Sequence, residues 1–456
     1  CLTVMTLGMS CAAFEPAAFQ PLPIGAVKPQ RWLKTQLELQ KDGLTGHAEE
    51  LYADIGQSDW LTHAGKGHEF AWERGPYYAR GLLALAYVLD DSKLKARAAC
   101  WAEAFFAGMK PSGDFGPKEE NWWANALVLY FMRDWYSATR DRRALDFLDA
   151  YFTFLEKRLP EHPLKGDAAG WMPWACARGG DILSVLIWHA EETKSEKFLP
   201  LMRLVAAQTA PWTSYYKKGY PNTAYQNHIV NFNQGMKTPA LLWRLTGDSF
   251  HADGYLAATQ PDGWAMRKCG RPDAMFNGME QLATRSPADA TELCAQVERM
   301  ISCAEEIAAR GTVRAADDME RIAYNTLPST LSPDGKGMRY YHLLNQPKCV
   351  NEELGYHDNG KGVNGNVISP ESGFGCCRSN FHIGWPKFVQ SMWMSAPGGG
   401  LAAVTYGPCA VTAKTAAGEV TLSVETDYPF TGKVTIRVEK GGGRFPVLTR
   451  IPSWCA

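Results

Sequence analysis

From about Gly75 to Gly311, apolar residues recur with the 3.6-residue period of amphipathic helices. GPYYARGLLALAYVLDD runs as one such helix, breaks at Asp90-Asp91-Ser92, and resumes in SKLKARAACWAEAFFAGM. Further polar breaks fall at Thr139–Arg142, Glu192–Ser195 and Leu245–Asp248. These breaks lie roughly fifty residues apart, the spacing of stacked helical hairpins. Leu293, Val297, Met300, Ile301, Ala304 and Ala308 keep the same period up to Arg310-Gly311. About six hairpins fit before Ser395, which predicts a closed ring of helix pairs rather than a simple bundle.

After Pro397-Gly-Gly-Gly400 the period falls to two. EVTLSVE sets Val420, Leu422 and Val424 on one face, and KVTIRVE does the same with Val434, Ile436 and Val438. GKVTIRVEKGGGRFPVLTRIP therefore reads as strand, turn, strand in an antiparallel sheet. A complete sandwich takes roughly a hundred residues, so this second domain reads as cut off. The expected division is a leader over 1–15, a helical domain over 16–396, and the start of a β-sandwich over 397–456.

Composition narrows the classes of partner. The chain has 456 residues, 46% hydrophobic and 21% charged, with a net charge of −1, so no basic excess favours nucleic acid. Its sixteen tryptophans serve either as core anchors or as the rings of a lined cleft. CLTVMTLGMSCAAFEP is short, apolar and uncharged before its small residues, like the apolar core and cleavage zone of an export signal. That reading places the protein in the periplasm or outside the cell, with surface anchoring as an option, although Leu7–Cys11 is a poor lipoprotein match. No segment has the apolar length of a membrane span. Twelve cysteines are too few for a disulfide scaffold, and spacing assigns no pairs.

Candidate chemistry gathers in three segments: FNGMEQL with Glu280, ATELCAQVE with Glu292 and Cys294, and GCCRSN with Cys376 and Cys377. T-E-L-C immediately precedes a helical period, and at a helix entrance both side chains can face one point and a thiolate is favoured. One carboxylate and three sulfurs suit tetrahedral zinc. The alternative is that Cys294 packs on a buried helix face while the adjacent pair is inert or disulfide-bonded. Glu280 and Glu320 read alone as solvated charges, His228 as a core or capping residue, and Tyr340 as strand packing.

Together these segments resemble the bacterial β-L-arabinofuranosidase family of zinc- and cysteine-dependent glycoside hydrolases. The match is carried by GMEQL, TELCAQVE, ERIAYNTLPSTLSPDGKGMRYY, GCC and WPKF, with WERGPYY, GGDIL, NHIVN and LLWRLTGD upstream. The resemblance implies an (α/α)6 barrel followed by β-sandwich domains. It also implies a zinc ion held by Glu292, Cys294, Cys376 and Cys377, with Cys376 as nucleophile and Glu280 as general acid/base. His228, Glu320 and Tyr340 match sugar-contacting positions, and Asp181 stands where some relatives have a sugar-contacting histidine. The implied substrate is a plant cell-wall oligosaccharide or polysaccharide, from which a retaining exo-hydrolase releases β-L-arabinofuranose. Other readings are a hydrolase for another pectin-type sugar, a polysaccharide lyase, and a non-catalytic glycan-binding protein with structural zinc.

Overall fold

The computed structural model describes residues 14–166, 168–169, 172–219, 228–286, 289–344 and 365–455. The expected export leader therefore lies almost wholly outside the described residues.

Two short strands, β1 (Gln20–Pro21) and β2 (Val27–Pro29), and helix α1 (Arg31–Gln40) precede the ring. The ring then alternates inner and outer helices: α2 (Arg74–Leu89), α3 (Ser92–Ala107), α4 (Trp122–Thr139), α5 (Arg143–Arg158), α6 (Gly179–Thr193) and α7 (Leu199–Gln208). It continues with a broken inner helix, α8 (Ile229–Gln234) and α9 (Thr238–Thr246), then α10 (Leu293–Arg310) and α11 (Val313–Arg321). The last inner position is filled by α12 (Gly375–Asn380) and α13 (Gly384–Ser391). Each inner helix packs on the next, and α12 and α13 pack back on α2, so the ring closes. This is the (α/α)6 barrel.

Inner and outer helices differ in how much of their surface they bury. In α2 nearly every residue from Gly75 to Val88 is buried, because neighbours stand on both flanks and the outer helix stands behind. In α3 the buried set is Leu94, Ala98, Trp101, Ala102 and Phe105, a single stripe with helical spacing. Fully burying one such side chain contributes roughly 1.5–3 kcal/mol. The polar breaks read from sequence are the ends of inner helices. Asp90, Arg140, Lys194, Gly247 and Gly311 each take the left-handed conformation at a helix C-cap. Asp91 then starts α3 by accepting hydrogen bonds from the amides of Lys93 and Leu94, both at 3.0 Å.

The second domain holds β7 (Trp393–Ala396), β8 (Gly400–Ala403), β9 (Cys409–Thr415), β10 (Gly418–Thr426), β11 (Val434–Lys440) and β12 (Val447–Thr449). They form two four-stranded sheets, β1-β7-β8-β12 and β11-β10-β9-β2. Both N-terminal strands thus join the C-terminal domain, which the one-dimensional division did not anticipate. The expected hairpin over residues 432–452 also does not form. β11 pairs antiparallel with β10, whereas β12 crosses to the other sheet and runs parallel to β8. Gly441–Gly443 carry the chain across, and the Pro446 carbonyl accepts the Leu401 amide at 2.9 Å to set the parallel register. No helix among the described residues is long and apolar enough to cross a membrane.

Candidate active site and metal centre

The inner helices begin at one mouth of the barrel, so their positive dipole ends converge there. A small sheet outside the ring brings the remaining groups to that mouth. Its strands are β3 (Gly278–Met279), β4 (Gln281–Leu282), β5 (Thr291–Glu292) and β6 (Tyr341–His342), in the order β4-β3-β5-β6. Glu280 is the apex between β3 and β4 and has a left-handed backbone, φ +66°. The amide of Ile229 donates to its carbonyl at 2.8 Å, which ties this turn to the start of α8.

The Glu280 carboxylate accepts hydrogen bonds from Tyr340 at 2.8 Å and Tyr341 at 3.0 Å, and its other oxygen stands 3.3 Å from His228 Nε2. Burial opposes ionisation, but the hydrogen bond and charge of His228, with Tyr340, hold this carboxyl below its ordinary value. Tyr340 also lies 3.4 Å from Cys376 Sγ, so one hydroxyl touches both the carboxylate and the thiol.

Glu292 ends β5 and immediately precedes α10, and Cys294 follows within the first helical turn. Cys376 and Cys377 lie at the start of α12, where the chain passes very close to its neighbours. A Cβ on Gly373 would meet Tyr340 at 2.4 Å, and one on Gly375 would meet the Arg74 guanidinium at 2.6 Å. The Cys294 amide donates to Cys377 Sγ at 3.3 Å, and Glu292 Oε1 lies 3.6 Å from Cys377 Sγ and 3.9 Å from Cys376 Sγ. All three thiols are free, so the disulfide reading does not hold for them. Cys294 and Cys377 are buried, whereas Cys376 is partly exposed to the cavity.

Glu292, Cys294, Cys376 and Cys377 each offer a ligand atom, all within 4.8 Å of one another. The charge balance of this cluster suits a cation. Burial, then the charges of Glu280 and Cys376, push Glu292 well above its ordinary value, and burial pushes the Cys294 and Cys377 thiols up. Hydrogen bonds from those two thiols hold Cys376 well below its own. Glu292 Oε2 is buried with no hydrogen-bond partner, which costs about 1–3 kcal/mol or more for an uncompensated group. A divalent cation relieves all of these at once, and three sulfurs with one oxygen make a donor set that suits zinc.

These groups wall a cavity of about 290 Å³, with Trp72, Glu73, Arg74, Trp174, Arg178 and Phe374 as further lining. That is at the low end of small-ligand sites, roughly 300 Å³, which fits one sugar ring. A larger cavity of about 420 Å³ lies among the C-terminal halves of the inner helices, under the segment Phe19–Ile24. It carries Arg133, Asp134, Glu305 and Lys387 but no thiol or histidine.

The structure brings Glu280, Glu292, Cys294, Cys376, His228 and Tyr340 to the cavity, with Cys377 directly behind. Asp181 and Glu320 do not reach it. Asp181 is 1% exposed on the barrel axis and accepts hydrogen bonds from Gln234 at 2.7 Å and Lys237 at 2.5 Å. Glu320 lies on outer helix α11, where the second domain covers it: the Tyr406 amide at 2.8 Å and the Tyr428 hydroxyl at 2.7 Å donate to it, and Arg450 pairs with it. Sequence reasoning missed Glu73, Arg178, Trp72 and Phe374. A signal for them exists, since each stands just before the start of an inner helix, as Glu292 does before α10.

A toroid of helix pairs whose open mouth presents carboxyls, thiols and aromatic rings around a sugar-sized cavity is the layout of a carbohydrate-active enzyme. Residues 78–390 match the model of the β-L-arabinofuranosidase GH127 catalytic domain, and residues 400–456 match the GH127 middle domain. The chain belongs to this family and is a glycoside hydrolase. Among solved structures, a GH127 β-L-arabinofuranosidase from Geobacillus stearothermophilus T6 superposes with TM-score 0.72 at 16% identity, over 94% of this chain and 75% of its own. Another GH127 β-arabinofuranosidase gives TM-score 0.70 at 16% identity, over 96% of this chain and 72% of its own. No curated protein matches the chain.

Proposed function

We propose that the protein is a retaining exo-glycosidase that releases β-L-arabinofuranose from plant-type glycans, with Cys376 as nucleophile and Glu280 as acid/base. The observation that carries this reading is the single Tyr340 hydroxyl in contact with both groups. Inverting pairs stand roughly 6.5–9.5 Å apart to admit a water between them, whereas retaining pairs stand at roughly 5–5.5 Å. The family and the names of the two solved relatives support the sugar. The apolar leader supports export to the periplasm or beyond.

In the first step the Cys376 thiolate attacks the anomeric carbon, the glycosidic C–O bond breaks, and Glu280 gives its proton to the departing oxygen. In the second, Glu280 takes a proton from water, the hydroxide oxygen bonds to the anomeric carbon, and the C–S bond breaks to restore the thiolate. Held below its ordinary value in the free site, Glu280 suits the second step. A sugar filling the cavity strips its remaining water, and desolvation raises a carboxyl's pKa, which favours the acid form needed for the first. His228 and Tyr340 keep the carboxylate aimed. Glu292, Cys294, Cys376 and Cys377 would hold zinc, which supplies the positive charge that keeps buried sulfurs ionised at neutral pH.

The test is sugar release from a panel of aryl glycosides, read with bound-metal content, for the parent enzyme, Cys376→Ser and Glu280→Gln. Cys376→Ser is expected to lose at least about 10³-fold in kcat while remaining folded. Glu280→Gln is expected to lose less with an activated aryl leaving group than with a sugar leaving group. Arabinofuranoside hydrolysis undiminished in Cys376→Ser would overturn the nucleophile assignment.

A further inference from the structure

The catalytic groups leave part of the cavity wall without a role, and that part carries a second pair of charges. Glu73 immediately precedes α2 and Arg178 immediately precedes α6, and both line the cavity. Glu73 belongs to WERGPYY and Arg178 directly precedes GGDIL, two segments of the family match, and neither residue has a role in the mechanism above. Arg178 Nη1 stands 3.6 Å from Glu73 Oε2.

Both side chains are rigidly held. Arg178 Nε donates to Asn231 Oδ1 at 2.7 Å, and its guanidinium lies between two rings, 4.2 Å from the centroid of Trp123 and 4.4 Å from that of Trp174. Trp123 Nε1 donates to Glu73 Oε2, the oxygen that also faces Arg178. Every one of these contacts uses Oε2 of the glutamate and Nε or Nη1 of the arginine. Oε1 of Glu73 and Nη2 of Arg178 have no partner among the described residues, yet neither is sealed in protein. The result is a fixed acceptor beside a fixed donor, both open to the cavity that holds Cys376.

We infer that Glu73 and Arg178 recognise two adjacent hydroxyls of the sugar, one donating to Glu73 Oε1 and the oxygen of its neighbour accepting from Arg178 Nη2. A carboxylate only accepts and a guanidinium only donates, whereas a vicinal diol does both, so the pair and the diol satisfy each other fully. A ring lacking one hydroxyl would leave a fixed, partly desolvated charge without its partner, and sites of that kind discriminate strongly. The two residues would then determine which sugar the cavity accepts. This inference rests on the glycosidase reading above.

The experiment measures kcat/KM of the parent enzyme, Glu73→Gln and Arg178→Lys on an aryl β-L-arabinofuranoside and on its 2-deoxy and 3-deoxy analogues. Thermal melting and metal content of each variant report folding. Glu73→Gln is expected to lose about 10- to 100-fold on the full sugar. On the analogue lacking the hydroxyl that meets Glu73, the parent enzyme is already slow and Glu73→Gln adds no further loss; Arg178→Lys gives the same pattern on the other analogue. Equal losses on all three substrates, or no loss on the full sugar, would overturn the inference. If the parent enzyme hydrolyses a different glycoside instead, the arabinose assignment fails, and the same comparison on the deoxy series of that sugar decides the role of the pair.

Discussion

Glu306 on α10 is 2% exposed, and its carboxylate accepts a hydrogen bond from the Thr312 hydroxyl at 2.5 Å. Burial pushes this carboxyl from 4.5 up to about 7. The stability tied to its protonated form is fully present below about 4.5 and is lost as pH rises through about 7. A tenfold change in proton affinity corresponds to about 1.4 kcal/mol, so the loss is about 3 kcal/mol. Glu306→Gln keeps the Thr312 bond and cannot ionise. The variant is expected to lack this decrement and to melt higher than the parent at pH 8 but not at pH 4.5, a difference that calorimetry across that range would detect. At this scale sequence was informative wherever residue type alone decided the chemistry. Glu-x-Cys with Cys-Cys supplied a ligand set because carboxylate and sulfur bind metal in any fold. Glu320 showed the opposite: a charge on an outer helix looks solvated until a second domain is laid over it.

The elements repeat one device. Inner helices α2, α4, α6, α9 and α10 each end in a left-handed residue, and after α2 the polar break also caps the outer helix through Asp91. Because both caps are local, the breaks and the helical period were legible from sequence. Asp91 makes the point quantitatively, since its carboxylate satisfies two amides of the first turn of α3. Asp91→Ala is expected to cost about 1 kcal/mol and lower the melting temperature while leaving turnover unchanged, because α3 is an outer helix that contributes nothing to the cavity lining. Strand pairing was less legible. The alternation read in β10 was correct, with Val420, Leu422 and Val424 buried, whereas β11 is half-buried to exposed along its length, and the sheet that β12 joined depended on Leu401, nearly fifty positions before its partner Val447. No local propensity encodes that choice.

For the whole molecule, the two domains are joined through buried charge. Arg450 of the β-domain pairs with Asp317 and Glu320 of α11, and the Ser453 amide adds a hydrogen bond to Asp317 at 3.1 Å. Arg450→Met would leave two buried carboxylates uncompensated, which typically costs about 3–5 kcal/mol. The expected outcome is an earlier unfolding transition and easier proteolysis near residues 397–408, with hydrolysis per folded molecule little changed. A large loss of turnover without destabilisation would instead show that the domain contact shapes the cavity.

Sequence by itself determined the helical ring, the change to strands, and the residue types of the metal-type cluster. Each follows from periodicity, local capping or the intrinsic chemistry of a side chain. Only the tertiary structure decided that α8 and α10, the β4-β3-β5-β6 sheet and α12 place Glu280, Tyr340 and Cys376 in contact. It also decided that Asp181 and Glu320 serve the framework, while Glu73 and Arg178 face the sugar-sized space. Those outcomes depend on which helix ends converge at one mouth, and residues some three hundred positions apart become neighbours only when the ring closes.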